Sequence, residues 1–478
     1  MSISGPTLSS AGIGSGLDVN SIVTALVNVE RVPIDQLQTQ AGTLQTQLSS
    51  FGKLQSYVSA VRDAARALTL PGTWSQTVGS SSDPAVGITT DASTLAGSYR
   101  VEVQSLAAAQ SLATATTYAG ATSVLGQGSL HIELGTWAGT AFTAKSGATA
   151  IEVSIGPGED TLEKVRDKIN GADAGVVASI LTDASGARLV LRSRDTGEAN
   201  GFRVGVTESG TAGLGALAYD PSGGATAMTL AQAASNARAT INQLPVVSAS
   251  NTLAGVIDGL TLTLNKPTTA PVDVAAKPDT ESMKKAIGTF VSAYNDMAKY
   301  LNDQTRYDAA SKTAGTLQGD SAALAVRSQM RSLLATTSGA SSTFTRLADV
   351  GFDVQADGTI QLKGSKLDNA LANIPELKKL FANSDSVTPA NNGVLTRLRG
   401  LADQFLSVDG TLSTRSAGLQ SRIDSNKANQ SRLEDRVTAF EARVRAQYTA
   451  LDAQMGQLTG LSTYVTQQLS LLNSNTLR

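Results

Sequence analysis

Apolar residues recur at steps of three and four near the start of the chain, and this spacing predicts helices. Asp18 is a residue type that caps helix N-termini, so a first helix is predicted directly after it. A second, long helix is predicted to begin at Pro33, which suits a first helical turn, and to stop at Pro71-Gly72. The apolar stripes comprise Ile22, Leu26 and Val29 in the first helix and Ile34, Leu37, Ala41, Leu44, Leu48, Phe51, Val58, Val61, Ala65 and Leu68 in the second.

A longer heptad pattern occupies the C-terminal end. Counted from Leu419 in steps of four and three, every position as far as Leu472 is apolar or an uncharged amide. The apolar positions are Leu419, Ile423, Leu433, Val437, Phe440, Val444, Leu451, Leu458, Leu461, Val465 and Leu472, and the amides are Asn426, Gln430, Gln447, Gln454 and Gln468. Such a helix is a rod of about 80 Å that cannot bury its own stripe, and amides in the stripe fix the register of a helix pair. A coiled coil follows, with the N-terminal stripe as the nearest partner; a bundle complete within one chain is the alternative.

The middle of the chain, between about Trp74 and Lys277, alternates apolar and polar residues, which is typical of β-strands. Glycine-rich segments separate the alternating runs and predict turns and hairpins. A single helix, Thr161 to Ile169, interrupts them. The clearest strand segments are Tyr99–Val103, Leu130–Leu134, Ile151–Ile155, Phe202–Val206 and Leu260–Leu264.

After Lys277 the helical period returns. One helix is predicted through Met283, Ile287, Val291 and Tyr294, a second from Leu324 to Leu334, and a hairpin at Asp357-Gly358. The fold class expected is therefore α+β and multidomain. Terminal coiled-coil helices and an inner helical bundle carry an inserted antiparallel β-rich head.

Composition removes most enzyme classes. The chain has no Cys, one His (His131), two Trp, 4% aromatic and 16% charged residues. These figures exclude disulfide scaffolds, Cys/His zinc sites and thiol nucleophiles, and no cofactor is expected. Because 38 basic residues stand against 40 acidic ones, no basic footprint for nucleic acid exists. No apolar run approaches the roughly 20 residues that span a bilayer, and the first residues do not resemble a cleaved signal peptide, so we expect no membrane contact.

Four local motifs imitate functional sites. The glycines of Gly12–Gly16 lack the preceding strand and following Lys of a phosphate loop and are better explained as a hinge. Ser282–Lys285 has the Ser-x-x-Lys spacing of an acylating serine but none of its companion motifs, so it is better explained as a polar first helical turn. Asp357-Gly358 lacks the ligand spacing of a calcium loop. His131 alternates with apolar residues and is expected on the outer face of a strand.

Several motifs resemble those of one protein family. The opening Gly14-Ser15-Gly16-Leu17-Asp18-Val19-Asn20-Ser21-Ile22-Val23 closely resembles the start of flagellar hook-associated protein 2, the bacterial filament cap. Further similar segments are Gly97–Val103 with Ala109-Gln110, Thr161–Asn170 with its Ile-Asn pair, Ser250-Asn251-Thr252, Gly259–Leu262, Tyr294-Asn295, Gly319-Asp320 and Gly351-Phe352. One departure is visible, since Ile241-Asn242-Gln243 stands where the family usually has Ile-Asn-Gly.

The resemblance implies a structural protein without catalysis. It implies a homo-oligomeric ring, pentamer or hexamer, at the distal tip of the flagellum, which prevents loss of exported flagellin and promotes its polymerisation. It also implies secretion by the flagellar type III system without a cleaved signal, with the hook-associated junction proteins and an export chaperone as further partners. The expected oligomer or filament contacts are Leu433, Val437, Phe440, Val444, Leu451 and Leu458, with Ile22, Leu26 and Val29 opposite them.

The domain division expected on this basis has four parts. They are residues 1-40 with 417-478 as coiled-coil legs, 41-75 with 278-416 as a helical bundle with a short hairpin, 76-112 with 234-277 as a β-rich domain, and 113-233 as a second β-rich domain with one helix. Two other functions stay open. One is another axial flagellar protein, such as a junction or flagellin-like component. The other is a tip adhesin that binds host mucin or glycan, although neither tryptophan lies in an obvious sugar-stacking cluster.

Overall fold

The computed structural model describes residues 18–475, and side chains as far as Leu471. The predicted Gly12–Gly16 hinge and the first residues of the family motif lie outside this range, as does the side chain of Leu472. The helices are α1 (Val19–Thr69), α2 (Pro71–Ser75), α3 (Leu162–Gly171), α4 (Thr280–Thr305), α5 (Ser321–Leu334), α6 (Gly364–Leu371), α7 (Ile374–Ala382), α8 (Val394–Leu406) and α9 (Thr411–Asn475).

The strands form antiparallel pairs throughout the described chain. They are β1 (Thr77–Ser81), β2 (Val86–Thr90), β3 (Gly97–Ser105), β4 (Ser111–Thr114), β5 (Gly128–Ala138), β6 (Ala141–Ala144), β7 (Ile151–Ile155), β8 (Val176–Asp183), β9 (Gly186–Ser193), β10 (Gly201–Glu208), β11 (Tyr219–Asp220), β12 (Ala225–Thr226), β13 (Met228–Gln232), β14 (Ala237–Ile241), β15 (Leu244–Ser248), β16 (Thr252–Ile257), β17 (Leu260–Leu264), β18 (Val272–Pro278), β19 (Tyr307–Asp308), β20 (Thr313–Ala314), β21 (Phe352–Val354) and β22 (Ile360–Leu362). The predicted fold class is confirmed.

The chain separates into two compact units. A helical unit contains the chain as far as Leu70 and from Ser282 onward, and a β-rich unit contains Pro71–Glu281. The finer division into four domains stays a prediction. None of the helices formed by the described residues is long and apolar enough to cross a bilayer.

Helix α1 joins into one the two helices predicted before and after Pro33. The Asp18 carboxylate accepts hydrogen bonds from the Ser21 N–H (3.0 Å) and hydroxyl (2.6 Å), which confirms the predicted cap. The predicted helix start at Pro33 is wrong, because α1 runs through it without a break. Proline removes one backbone donor at an interior helical position, at a cost of about 3 kcal/mol, and burial of Val27 and Ile34 on either side offsets that cost.

The core of the helical unit is formed by the second half of α1 together with α4, α5, α7 and α8. Two tyrosines of α4 are fixed within it. Tyr300 donates to the Ser50 carbonyl of α1 (2.9 Å) and packs on Tyr57, with ring centroids 4.9 Å apart. Tyr294 is 2% exposed, and this burial raises its pKa to about 12.

The β-rich unit holds two separate hydrophobic cores. In the first, a five-stranded sheet (β1-β18-β3-β14-β15) packs with a three-stranded one (β16-β17-β2). In the second, the sheet β12-β11-β10-β5-β6, with β7 also paired to β5, packs with β13-β4-β9-β8, and α3 adds Leu162, Val165 and Ile169 to the core. The predicted helix and strand segments of this region are confirmed.

Four side-chain amides act as clamps, each exchanging two hydrogen bonds with the backbone of one distant residue. The amide N–H₂ donates to that residue's carbonyl and the amide oxygen accepts from its N–H, at 2.6–2.9 Å. Gln110, the most buried, is 0% exposed. The amide clamps are Gln110 on Phe202, Asn170 on Ala178, Asn251 on Ala107 and Asn295 on Ile360. Each side-chain amide makes the two hydrogen bonds that a residue of a neighbouring strand would make, which explains why amides occur in the family-like motifs.

The β14–β15 hairpin turns through two residues with positive φ, Asn242 (49°) and Gln243 (69°). Two-residue hairpin loops favour glycine at such positions, because a left-handed conformation costs about 1–2 kcal/mol for other residues. Gln243→Gly is therefore expected to stabilise the β-rich unit by about 1 kcal/mol. Differential scanning calorimetry measures this as a higher Tm, and Thr261→Gly in the β17 strand should lower it.

Glu376 of α7 ties a loop to the helical unit. Its carboxylate accepts from Lys379 Nζ (2.7 Å), the Ser341 hydroxyl (2.8 Å) and the Ser342 N–H (2.7 Å). These contacts, with Lys379 first, lower the pKa of Glu376 from 4.5 to about 2. A carboxylate whose folded-state pKa is lowered stabilises the fold above its unfolded pKa, and loses that contribution as pH falls through the folded value.

Glu376→Gln is accordingly expected to lower the Tm of the helical unit at pH 7. As the pH falls from about 4.5, the stabilisation that the wild-type carboxylate provides decreases. The difference in Tm between the wild type and the variant should therefore narrow towards pH 2. Thermal unfolding followed by circular dichroism at several pH values measures the gap. Glu434→Gln, at an exposed position on α9, is the matched control and should leave Tm unchanged at each pH.

Candidate assembly surfaces of the terminal helices

Helices α1 and α9 run antiparallel against each other through a continuous apolar seam. On α9, Val437 (4% exposed) and Val444 (6%) are buried, and three larger side chains pack at their edges. Together the members of the seam are Val19, Val23, Val27 and Ile34 of α1 and Leu433, Val437, Phe440, Val444 and Tyr448 of α9. The predicted pairing of the N-terminal and C-terminal helices within one chain is therefore confirmed.

Polar contacts fix the register of this pair. Asn426 is 4% exposed and donates to Gln40 Oε1 (3.0 Å), while its own oxygen accepts from Gln430 (2.6 Å). A buried amide satisfied in one alignment is left unsatisfied in any shifted one, so this network selects a single register. Towards the N-terminal end of α1, Arg436 of α9 lies 2.7 Å from Glu30. Its side chain is 70% exposed, so this ion pair adds little stability.

The expectation that Ile22, Leu26 and Val29 lie opposite the α9 stripe is wrong. Leu26 is 39% and Val29 71% exposed, whereas Val19, Val23 and Val27 fill the seam. The physical reason is the unbroken helix, because Ile34 lies in the seam and positions 7, 11 and 15 residues before it must share its face. As contacts to another molecule, Ile22, Leu26 and Val29 stay a prediction.

Beyond Tyr448, α9 continues for about 40 Å at 1.5 Å per residue, and its large apolar side chains as far as Leu471 are exposed. Leu451 is 44% and Leu458 60% exposed, so these two predicted contact residues are not part of the seam. The distal stripe is defined as Leu451, Met455, Leu458, Leu461, Val465 and Leu469. Exposed apolar residues grouped in this way mark interaction surfaces.

The remaining candidate sites have structural roles. Met283 is buried as the apolar face of α4 begins, and Lys284 Nζ lies 2.8 Å from Asp368. Asp357 accepts from the Thr359 N–H (2.9 Å) inside the β21–β22 hairpin, as predicted. His131 is exposed on β5. Residues 18–475 contain no group of His, Asp and Glu side chains arranged to hold a metal ion.

One aromatic cluster was missed because its members are far apart in sequence. The Trp137 ring lies 4.7 Å from Phe142 and 5.8 Å from Tyr219, and Arg203 lies over Phe142 (4.8 Å). Trp137 Nε1 donates to the Phe202 carbonyl (3.2 Å). Tyr219 belongs to the second β core and Trp137 packs against that core, so the cluster is a packing feature.

Paired terminal helices, a helical bundle and a β-rich insertion, with exposed apolar surface on the helices, define an axial structural protein whose surfaces serve assembly. Residues 15–110 and 234–460 match the family models of the flagellar hook-associated protein 2 N-terminus and C-terminus, and residues 141–195 match the flagellin hook IN motif. The chain belongs to the flagellar hook-associated protein 2 family.

Relatives extend over almost the whole chain. It is 30% identical to the B-type flagellar hook-associated protein 2 of Pseudomonas aeruginosa PAO1, covering 97% of this chain and 98% of that one. Against flagellar hook-associated protein 2 of Escherichia coli K12 the identity is 30%, covering 98% and 99%. The crystal structure of the Escherichia coli flagellar cap protein FliD, domains D1-D2-D3, superposes with a TM-score of 0.58 at 30% identity, covering 78% of this chain and 99% of that chain.

The chain is accordingly a filament cap protein of the bacterial flagellum, extracellular and located at the filament tip. The family is structural and is not known for enzymatic activity. Membership favours this role over that of a tip adhesin.

Proposed function

We propose that this chain forms a homo-oligomeric ring of five or six copies whose legs, the α1–α9 pairs, dock on the filament end through the distal stripe of α9. The ring retains exported flagellin and promotes its addition beneath the cap, and it catalyses no reaction. The hook-associated junction proteins and an export chaperone are its further partners. Export by the flagellar type III system precedes assembly.

The observation that supports the docking surface is the exposure of the distal stripe beyond the end of the seam. A leucine that moves from water into an apolar contact contributes about 1.5–3 kcal/mol. Several such residues on one helix face, with threonines and glutamines around them, suit a helix that packs against other helices. This proposal places Leu451 and Leu458 in filament contacts.

The outward face of α1 supports a second surface, between neighbouring protomers. Leu26, Val29 and Val32 are 39%, 71% and 48% exposed on one side of the helix, away from the seam. The residues of the seam itself, Val437 and Val444, act indirectly, because they hold α9 in place against α1.

A deletion strain tests the proposed function. Cells that lack this protein should release unpolymerised flagellin into the medium, and a plasmid copy should restore filaments. Electron microscopy of the purified chain should show closed rings of a few copies. Fibres instead of rings would indicate a flagellin-like protein, and filaments of normal length in the deletion strain would contradict the capping role.

A further inference from the structure

Strand β8 forms one edge of the sheet β13-β4-β9-β8. In an antiparallel pair, alternate residues direct their N–H and C=O groups away from the partner strand. On β9, Ala187 exchanges backbone hydrogen bonds with Tyr118, and Leu189 donates to a threonine hydroxyl of β4, so both face away from β8. Their register partners on β8, Thr182 and Ile180, therefore direct their backbone groups towards the open edge.

This edge is closed in its first half and open in its second. The Asn170 clamp satisfies both outward groups of Ala178. Within residues 18–475, no hydrogen bond reaches the outward N–H and C=O groups of Ile180 or Thr182. Proteins usually guard such edges with proline or charge. The stretch from Val176 to Thr182 has neither, and Leu181 is 58% exposed in its middle.

The outer face beside this edge is apolar and cationic. Leu181 is paired with Arg188 and Val177 with Arg192 across the β8–β9 ladder. Neither arginine has a carboxylate partner in the described part of the chain. Side chains on neighbouring strands of one face contact each other, so a strand added here would place its own side chains beside Leu181 and within reach of Arg188.

We propose that the edge at Ile180–Thr182 is a strand-addition site for an extended polypeptide segment that carries an apolar and an acidic side chain two residues apart, so that both lie on the face of Leu181 and Arg188. Main-chain groups provide most of the recognition, and the short edge keeps binding reversible. In the cell the segment belongs to flagellin that has not yet folded; this identification rests on the proposed function, whereas strand addition does not. The opposite edge, β13, is less suited, because a bulge between Leu230 and Gln232 interrupts its ladder.

A labelled synthetic peptide, Thr-Val-Thr-Glu-Thr-Val-Thr, places valine and glutamate on one face and tests the site by fluorescence anisotropy with the full chain. Thr182→Pro removes the outward N–H without removing a bond to β9. Leu181→Lys places a charge beside the edge, which disfavours the addition of another strand. Each should weaken binding by about tenfold or more. Leu230→Lys, a matched exposed leucine on the other edge, should leave binding unchanged. Two N-methylated peptides, blocked at residues 2, 4 and 6 or at residues 3 and 5, each lose one hydrogen-bonding edge, and at least one of them should not bind.

Binding of both N-methylated peptides as tightly as the parent peptide, or unchanged binding by both edge variants, would overturn the site. So would sedimentation that shows wild-type dimers absent from Thr182→Pro, because the edge would then pair with a second copy. A chain that binds no peptide yet restores filaments to the deletion strain would contradict strand addition alone. Peptide binding by a chain that fails to restore filaments would contradict the proposed function alone.

Discussion

Replacing Leu451 and Leu458 together with Asp is expected to abolish filament capping while the purified chain stays folded. Both side chains are exposed, so two carboxylates there remain hydrated in the free chain. On docking, each would be buried against apolar surface without a partner, which costs several kcal/mol, about 2–7 for even a neutral polar group. The measurement is flagellin in the culture medium and filament length in a complemented deletion strain.

The matched control places Asp at Ala453 and Gln457, which are exposed on the same helix but outside the distal stripe. That variant should cap filaments normally, which separates loss of an apolar contact from added charge. Normal filaments in the Leu451 and Leu458 variant, with secretion at wild-type level, would show that the distal stripe is not the docking surface.

Val437→Asp with Val444→Asp should also abolish capping, but by separating the two helices of the leg. Both valines are almost fully buried in the seam, and unpaired carboxylates there would each cost several kcal/mol, on the order of 3. Amide hydrogen exchange should then rise about tenfold or more across Val19–Ile34. The β-rich unit should keep its protection, because it has its own cores.

Hydrogen exchange distinguishes this mechanism from the first. In the Leu451 and Leu458 variant, exchange across Val19–Ile34 should match the wild type. Asp at Ala439 and Ala446, both exposed and two residues beyond the valines, is the control and should leave the leg intact. If the buried double variant keeps wild-type exchange in α1, the seam does not hold the leg together in solution.

The element types were predictable from the sequence because their periods are long and regular. The phase of the first helix was not, since α1 carries two apolar stripes, one through Val23 and Val27 and another through Leu26 and Val29. Periodicity alone cannot tell which of the two stripes faces α9. If a new helix started at Pro33, the faces of the residues before it would be unrelated to the face of Ile34. Because α1 is unbroken, Val23 and Val27 share the face of Ile34 and lie in the seam.

The other features that the sequence did not predict depend on contacts between residues far apart in the chain. The heptad spacing predicts one stripe from Leu419 to Leu472, but the seam extends only as far as Tyr448, because the partner helix α1 begins at Val19. Where a partner ends depends on three-dimensional alignment, here fixed by Asn426 and Gln40. The amides of the clamps were visible as motif residues, yet their targets lie as far as 144 residues away and no local pattern points to them.

The amide clamps also differ in kind from the exposed ion pair of the leg. A hydrogen bond between two neutral groups has no proton to lose and is hardly weakened by dissolved ions, whereas the Arg436–Glu30 contact lies in water and is screened by them. A protein at the filament tip takes the salinity of whatever water the cell swims through. The three amide clamps of the β-rich unit should therefore persist from fresh to saline water, and the leg should stay paired as well, because its apolar seam and the Asn426–Gln40 amides carry no charge that salt could screen.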